Sequence, residues 1–165
     1  PITGSHFAYI EVSWFFFSIG LVFWLVLLTI VLYRLFFHEP LPARLTPMLF
    51  ILLAPPSVGF VSYSGLVGGL DNFGRVLYYI ALFLSLLLFS NVLRFIRLPF
   101  FLSSWAYSFP VAALTIATKK MFMFTALPLF NVLFMALISI LSLLVLWLVV
   151  RTCKAVIAGE LCRPE

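Results

Sequence analysis

The chain has 165 residues, 65% of them hydrophobic and 9% charged, with a mean hydropathy of +1.24 and a formal net charge of +5. A soluble globular domain, roughly half apolar and a quarter charged, is excluded. So is an outer-membrane barrel, because the apolar runs have the length of about 20 residues that a helical crossing needs rather than alternating over about ten. The ten basic residues fall in ones and twos at the ends of apolar runs, a pattern set by membrane topology and not by nucleic acid.

The fold class is all-α, a polytopic integral membrane protein set in the lipid bilayer. Residues 1–10 have no basic start and no apolar run of their own, so they do not read as a signal peptide. A first span is predicted over about 12–37, closed by His38, Glu39 and the Pro40/Pro42 pair. A second covers about 45–63, interrupted by Pro55, Pro56 and Gly59, and is followed by a loop in which Gly65, Gly68, Gly69 and Gly74 are turn residues. The third span is about 75–96 and the fourth about 100–118. Lys119 and Lys120 mark the turn into a fifth, about 127–150, with an amphipathic or frayed tail to Ala158. Together these form a single transmembrane domain over 1–165.

Orientation follows from the basic residues in the short connections. One side receives Arg34, Arg44, Arg94, Arg97, Arg151, Lys154 and Arg163, the other Arg75, Lys119 and Lys120. The richer side is expected to be cytoplasmic, with the N-terminus of this segment outside and the C-terminus inside. A repeat is also visible, because Pro55 and Pro110 each lie about ten residues into a short broken helix that turns over into a longer unbroken one. The unit is a helical hairpin. By the same period the first span is the second helix of a hairpin begun before Pro1, so the chain is expected to be a C-terminal piece holding two and a half hairpins.

The fourth stretch, FFLSSWAYSFPVAALTIAT, is built poorly for facing lipid. Ser104, Ser108 and Ala112 recur at a spacing of four and give one helix face small, weakly polar side chains. Pro110 frees the carbonyl of Ala106 and disfavours helical backbone in the residue before it, so a bend is predicted at Phe109. A defect of this kind in a bilayer is satisfied by neighbouring protein or by a water-filled cavity. The stretch is therefore a candidate pore wall, with close helix packing as the other use of such a small-residue face.

Away from their terminal turns, the five predicted spans hold no Asp, Glu, Lys, Arg or His. Buried titratable groups mark proton relays and ion-coupled carriers, so passive passage is the better fit, with selectivity set by diameter and dehydration instead of a binding charge. Motifs for hydrolases, metalloproteases and phosphate-binding loops are absent from the sequence, and no cofactor or metal is expected. His6, His38, Glu11 and Glu39 read as membrane-edge residues, and Cys153 and Cys162 as plain thiols.

The run WAYSFPVAALTIAT closely resembles the ninth transmembrane helix of the bacterial tellurite-resistance and dicarboxylate transporter family, which includes the plant guard-cell slow anion channels. LTPMLFILLAPPSVGFVSY resembles its seventh helix and EVSWFFFSIGLVFW its sixth, so nearly the whole chain is similar to helices six to ten of ten. The resemblance implies a ring of five hairpins whose broken first helices enclose a pore. It also implies a homotrimer with one pore per protomer, and a phenylalanine plug at the position of Phe109. The expected function is then an anion channel or uniporter for small inorganic anions, extending to four-carbon dicarboxylates. Phe109 would gate it, with Ser104, Ser108, Pro110, Ala112, Pro55, Pro56 and Gly59 lining or breaking the pore helices, in a bacterial inner membrane. A coupled carrier or exporter of dicarboxylates or tellurite-like oxyanions is the alternative. A fragment that acts only with an N-terminal half is a further one, since the remaining pore helices are not in this chain.

Overall fold

Twenty-eight residues, Ile10–Phe37, form helix α1, about 42 Å long at 1.5 Å per residue. Glu11 stands in its first turn and Arg34 in its last, each at the end of the helix dipole that favours its charge. Ser13 and Phe17 are its buried positions, so α1 presents apolar side chains on almost every side, as an outer membrane helix does. The computed structural model describes residues 10–38, 43–90, 92 and 100–158. The predicted helix stop at Glu39, Pro40 and Pro42, the end of the third span beyond 92, His6 and Cys162 lie outside the described residues.

Two broken helices follow, and both break in the same way. Ala43–Leu53 is a 3-10 helix that passes into helix α2, Ala54–Val67. Pro55 and Pro56 carry no N–H to bond the carbonyls of Ile51 and Leu52 four residues back, so the chain ahead of them takes the tighter i to i−3 pairing. Within the first turn of α2 the same prolines are well placed, since those N–H groups would have no helical partner anyway. Leu102–Tyr107 is likewise a 3-10 helix that passes into an α-helix, Ser108–Thr125, here α4. The backbone N–H of Ser108 bonds the carbonyl of Trp105 three residues back, and Pro110 is the third residue of α4. Phe109 therefore lies inside an α-helix. The expected bend there is instead a change of helix type between Tyr107 and Ser108, both of which keep right-handed helical backbone angles.

Each broken helix turns over into a longer partner. α2 ends at Gly68, whose φ of 74° is the left-handed cap glycine takes without strain. Helix α3, Asn72–Ser90, then starts under Asp71. The Asp71 carboxylate accepts the Gly74 N–H at 2.8 Å and the Tyr63 hydroxyl, and its carbonyl accepts the Arg75 N–H at 3.1 Å. The Tyr63 hydroxyl, followed by the Gly74 amide, holds the Asp71 carboxyl below the usual carboxylate range. The turn is thus shorter than the glycine spacing suggests. Gly65 and Gly74 are helical, as is Gly59, so α2 runs unbroken beyond its prolines.

The second hairpin corrects a sequence expectation more strongly. α4 continues through Lys119 and Lys120 to Thr125, and the turn falls at Ala126 and Leu127 before Pro128 opens helix α5, Pro128–Ile157. Lysine is a good helix former, and a charge alone does not stop a helix. What ends this one is Ala126, in the left-handed conformation at φ 54°, together with a proline at the first position of the next. The expected frayed tail is the last part of α5, helical to Ile157.

Among the described residues every element is helical, and α1, residues 47–67, α3 and α5 are each long and apolar enough to cross a membrane. α4 carries Lys119 and Lys120 and is not among them. Packing falls into two clusters stacked along the bundle. Near the 3-10 segments, Phe50, Leu53, Leu84, Tyr107, Val111 and Leu114 come together. Toward the hairpin turns, Phe17, Phe60, Leu77, Tyr78, Met121 and Phe130 do so. In lipid, such contacts act through close fit and dispersion, since apolar burial itself drives little association there.

Candidate pore-lining site

Helix α4 has two faces of opposite character. Pro110, Val111, Leu114, Ala117, Thr118 and Met121 are buried against the bundle. On the other side Phe109, Ile116 and Met123 are 64%, 58% and 72% exposed, with Ala112 and Lys119 half-buried between them. These five positions step by three and four residues in turn, which keeps them on one stripe of the helix. The buried face is anchored by one polar contact, the Tyr78 hydroxyl against Thr118 Oγ1 at 3.2 Å, with both residues fully enclosed.

Of the small residues expected to line a pathway, each has a definite local role. Ser104 is buried, and its Oγ accepts the Phe101 N–H at 3.3 Å while its own N–H bonds the Phe101 carbonyl. Ser108 is half-buried and donates its hydroxyl to the Trp105 carbonyl at 2.8 Å. Most other hydroxyls in these helices are used similarly, as Ser57 to Leu53 and Thr115 to Val111 illustrate. Such bonds satisfy hydroxyls that lipid cannot.

The two candidate regions open onto different cavities. Pro55 and Gly59 line one of about 250 Å³ between α1 and α2, beside Phe17, Trp24 and Ser62. The Trp24 Nε1–H is buried beside α2 and makes no hydrogen bond among the described residues. Ala112, Ile116 and Lys119 line another of about 550 Å³, closed on one side by Phe134 and Ile138 of α5. Phe109 belongs to neither lining set. Pro56 and Pro110 are both buried, behind the open faces and not on them.

The sequence does not single out Lys119 and Lys120, because a charge at the end of an apolar run reads as the end of a span. The apolar run MFMFT after them, followed by Pro128 as a helix start, was the signal that the helix goes on. Helix α4 therefore carries two titratable groups beyond the predicted end of the fourth span. Lys120 donates from Nζ to the Val61 carbonyl at 3.0 Å and so ties α4 to α2. Lys119 Nζ sits 5.4 Å from the Phe122 ring centre and 5.0 Å from that of Phe134, a cation–π arrangement that holds the ammonium without neutralising it.

Comparison with known proteins gives this architecture relatives. A family model described as SLAC1, voltage-dependent anion channel, matches residues 1–153. The S-type anion channel SLAH2 of Arabidopsis thaliana is 38% identical over 106 residues, covering 64% of this chain and 20% of that protein. The S-type anion channel SLAH3 of the same plant is 33% identical over 138 residues, covering 84% of this chain and 22% of its own length. An uncharacterized transporter of Methanocaldococcus jannaschii is 24% identical over an alignment spanning all of this chain and 55% of that protein. The chain thus spans about a fifth of the plant channels it matches and about half of the archaeal transporter.

Proposed function

Because the chain belongs to the SLAC1 family of voltage-dependent anion channels, we propose that it forms part of a passive pathway for small anions whose gate is Phe109. The carrying observation is the placement of that side chain, 64% exposed on the open face of α4 directly ahead of the buried Pro110. A rigid proline behind it fixes the helix start, so the ring stands out from the wall instead of packing into it. Ala112 and Ile116 continue the same face, and Pro55 and Gly59 are the candidate lining residues on α2. Small inorganic anions are the substrates, with four-carbon dicarboxylates at the upper end of size. The protein acts as a homotrimer in a bacterial inner membrane, with the N-terminus of this segment outside and the C-terminus cytoplasmic, as the basic side chains of Arg34, Arg151 and Lys154 favour.

Passive flow is favoured over proton coupling by the carboxylates. Among the described residues these are Glu11 and Asp71, one in the first turn of α1 and the other capping α3, so neither lies along a crossing. Chloride currents of the full-length gene product test the gate. Phe109→Ala is expected to raise anion conductance about tenfold or more, as removal of a plug from a narrow hydrophobic constriction does. Conductance unchanged from the parent protein would sink the gate.

A further inference from the structure

We infer that Lys119 is an anion-recruiting residue, giving the pathway a fixed positive charge on the hairpin-turn side of Phe109. This rests on the reading of the open α4 face as pathway wall and adds to it a charge that the sequence did not disclose. Four observations converge on Lys119. It shares one stripe with Phe109, Ala112 and Ile116, and stands about 15 Å along the helix axis from Phe109 at 1.5 Å per residue. It lines the cavity of about 550 Å³ together with Ala112, Ile116 and Lys120. Its ammonium rests over the rings of Phe122 and Phe134, which position the charge and leave it positive. Among the described residues no carboxylate pairs with it, since Glu11 is in the first turn of α1 and Asp71 is taken by Tyr63 and Gly74.

The adjacent lysine serves as contrast. Lys120 directs its ammonium into the α2 backbone at the Val61 carbonyl, a structural tie between inner helices. Both lysines line the cavity, but the Lys120 ammonium is engaged by a backbone carbonyl of the neighbouring helix while that of Lys119 rests on aromatic rings. A cation beside apolar walls concentrates field in the cavity and raises the local density of anions, more strongly than in open water. The ligand class is any small hydrated anion. Recognition is by charge and not by shape, because an ammonium held between rings presents no fixed fork of donors.

The experiment compares Lys119→Gln, Lys119→Arg and the parent in the full-length gene product, recording chloride conductance at low and high ionic strength. The expected result is a drop of about threefold in Lys119→Gln in dilute salt that vanishes near roughly 1 M, where the Debye length is about 3 Å. Lys119→Arg is expected to keep parental conductance. A second measurement introduces Lys119→Cys in a background with Cys153→Ser and Cys162→Ser, then labels the new thiol with a cationic or an anionic methanethiosulfonate. The cationic reagent should restore conductance and the anionic one lower it further. A loss independent of salt, no loss at all, or equal effects of both reagents would overturn the recruiting role. Repeating the series with Phe109→Ala separates the two readings. Salt-dependent effects at 119 with no effect of Phe109→Ala would remove the gate and keep the recruiting charge. The reverse pattern would remove the charge and keep the gate.

Discussion

In the α2–α3 hairpin the inner helix opens on Ala54, Pro55 and Pro56; in the α4–α5 hairpin it opens on Ser108, Phe109 and Pro110. Matching the helix starts pairs Pro56 with Pro110, both under 2% exposed, and pairs the exposed Pro55 with Phe109. The repeat period is therefore 54 residues, one less than the pairing of Pro55 with Pro110 suggests. Further along, Phe60 and Leu114 coincide as buried apolar residues, and Ser64 and Thr118 as buried hydroxyls. The two helices part company at Ser62, buried with α1 beside it, and at its counterpart Ile116, which is 58% exposed. They differ again at Gly65 and Leu66, which correspond to Lys119 and Lys120. One plan thus supplies a buried proline and an outward residue ahead of it. What each hairpin adds is the side chain at that outward place and the charge one and a half turns before the helix ends.

Core truncation gives the largest test of this pairing. Phe60→Ala and Leu114→Ala are each expected to cost about 2 to 5 kcal/mol, because both sit at matched, fully packed positions, while Ile116→Ala on the open face should change stability by less than about 0.5 kcal/mol. Unfolding in mixed detergent micelles measures all three. A loss at Ile116 comparable to that at Leu114 would mean the α4 face is covered and the comparison is wrong.

Smaller effects of opposite sign are expected where the inner helices end. Gly68 and Ala126 are both left-handed, at φ 74° and 54°. Gly68→Ala should destabilise by about 1 kcal/mol and Ala126→Gly should stabilise by about the same, since a Cβ is strained in that region. Thermal unfolding of the two variants side by side reads the sign directly. Two shifts in the same direction would show that the turns do not share a cap.

The smallest effect is a pH dependence confined to the first hairpin. Asp71 has its carboxyl held below the ordinary value by the Tyr63 hydroxyl and the Gly74 amide. Its folded pKa is depressed, so its contribution is present above the ordinary carboxylate pKa and is lost as pH falls through the lower folded value. Asp71→Asn should flatten the acid side of the stability profile in that window. An unchanged acid slope, measured by unfolding at stepped pH, would remove Asp71 from the turn's support.

Composition and run length were enough to read a helical membrane bundle and the α1, α3 and α5 segments, because lipid requires long apolar helices and leaves little else to choose from. That the prolines break these helices was legible, since a missing N–H has a fixed address, but the break lies between Tyr107 and Ser108 and not at Phe109. Lys119 and Lys120 were not legible as helix residues, because a charge near the end of an apolar run looks the same whether the helix stops or continues for one more turn. Only the left-handed Ala126 and the helix start at Pro128 distinguish the two. The roles of Ser104 and Ser108 were hidden as well. Their spacing placed them on one face, but which backbone group each hydroxyl engages depends on the 3-10 geometry next to them.

The 3-10 segment ahead of α2 also brings that inner helix to the length of a membrane crossing. α2 alone has 14 residues, which at 1.5 Å each extend about 21 Å against a hydrocarbon thickness of about 30 Å. Residues 47–53 in 3-10 form add about 2 Å each, or about 14 Å, and complete the crossing. Rewinding them as α-helix would shorten the segment by about 3.5 Å. Bilayer thickness and the state of the break are therefore coupled. A thicker membrane favours the stretched 3-10 form, and a thinner one favours a shorter segment.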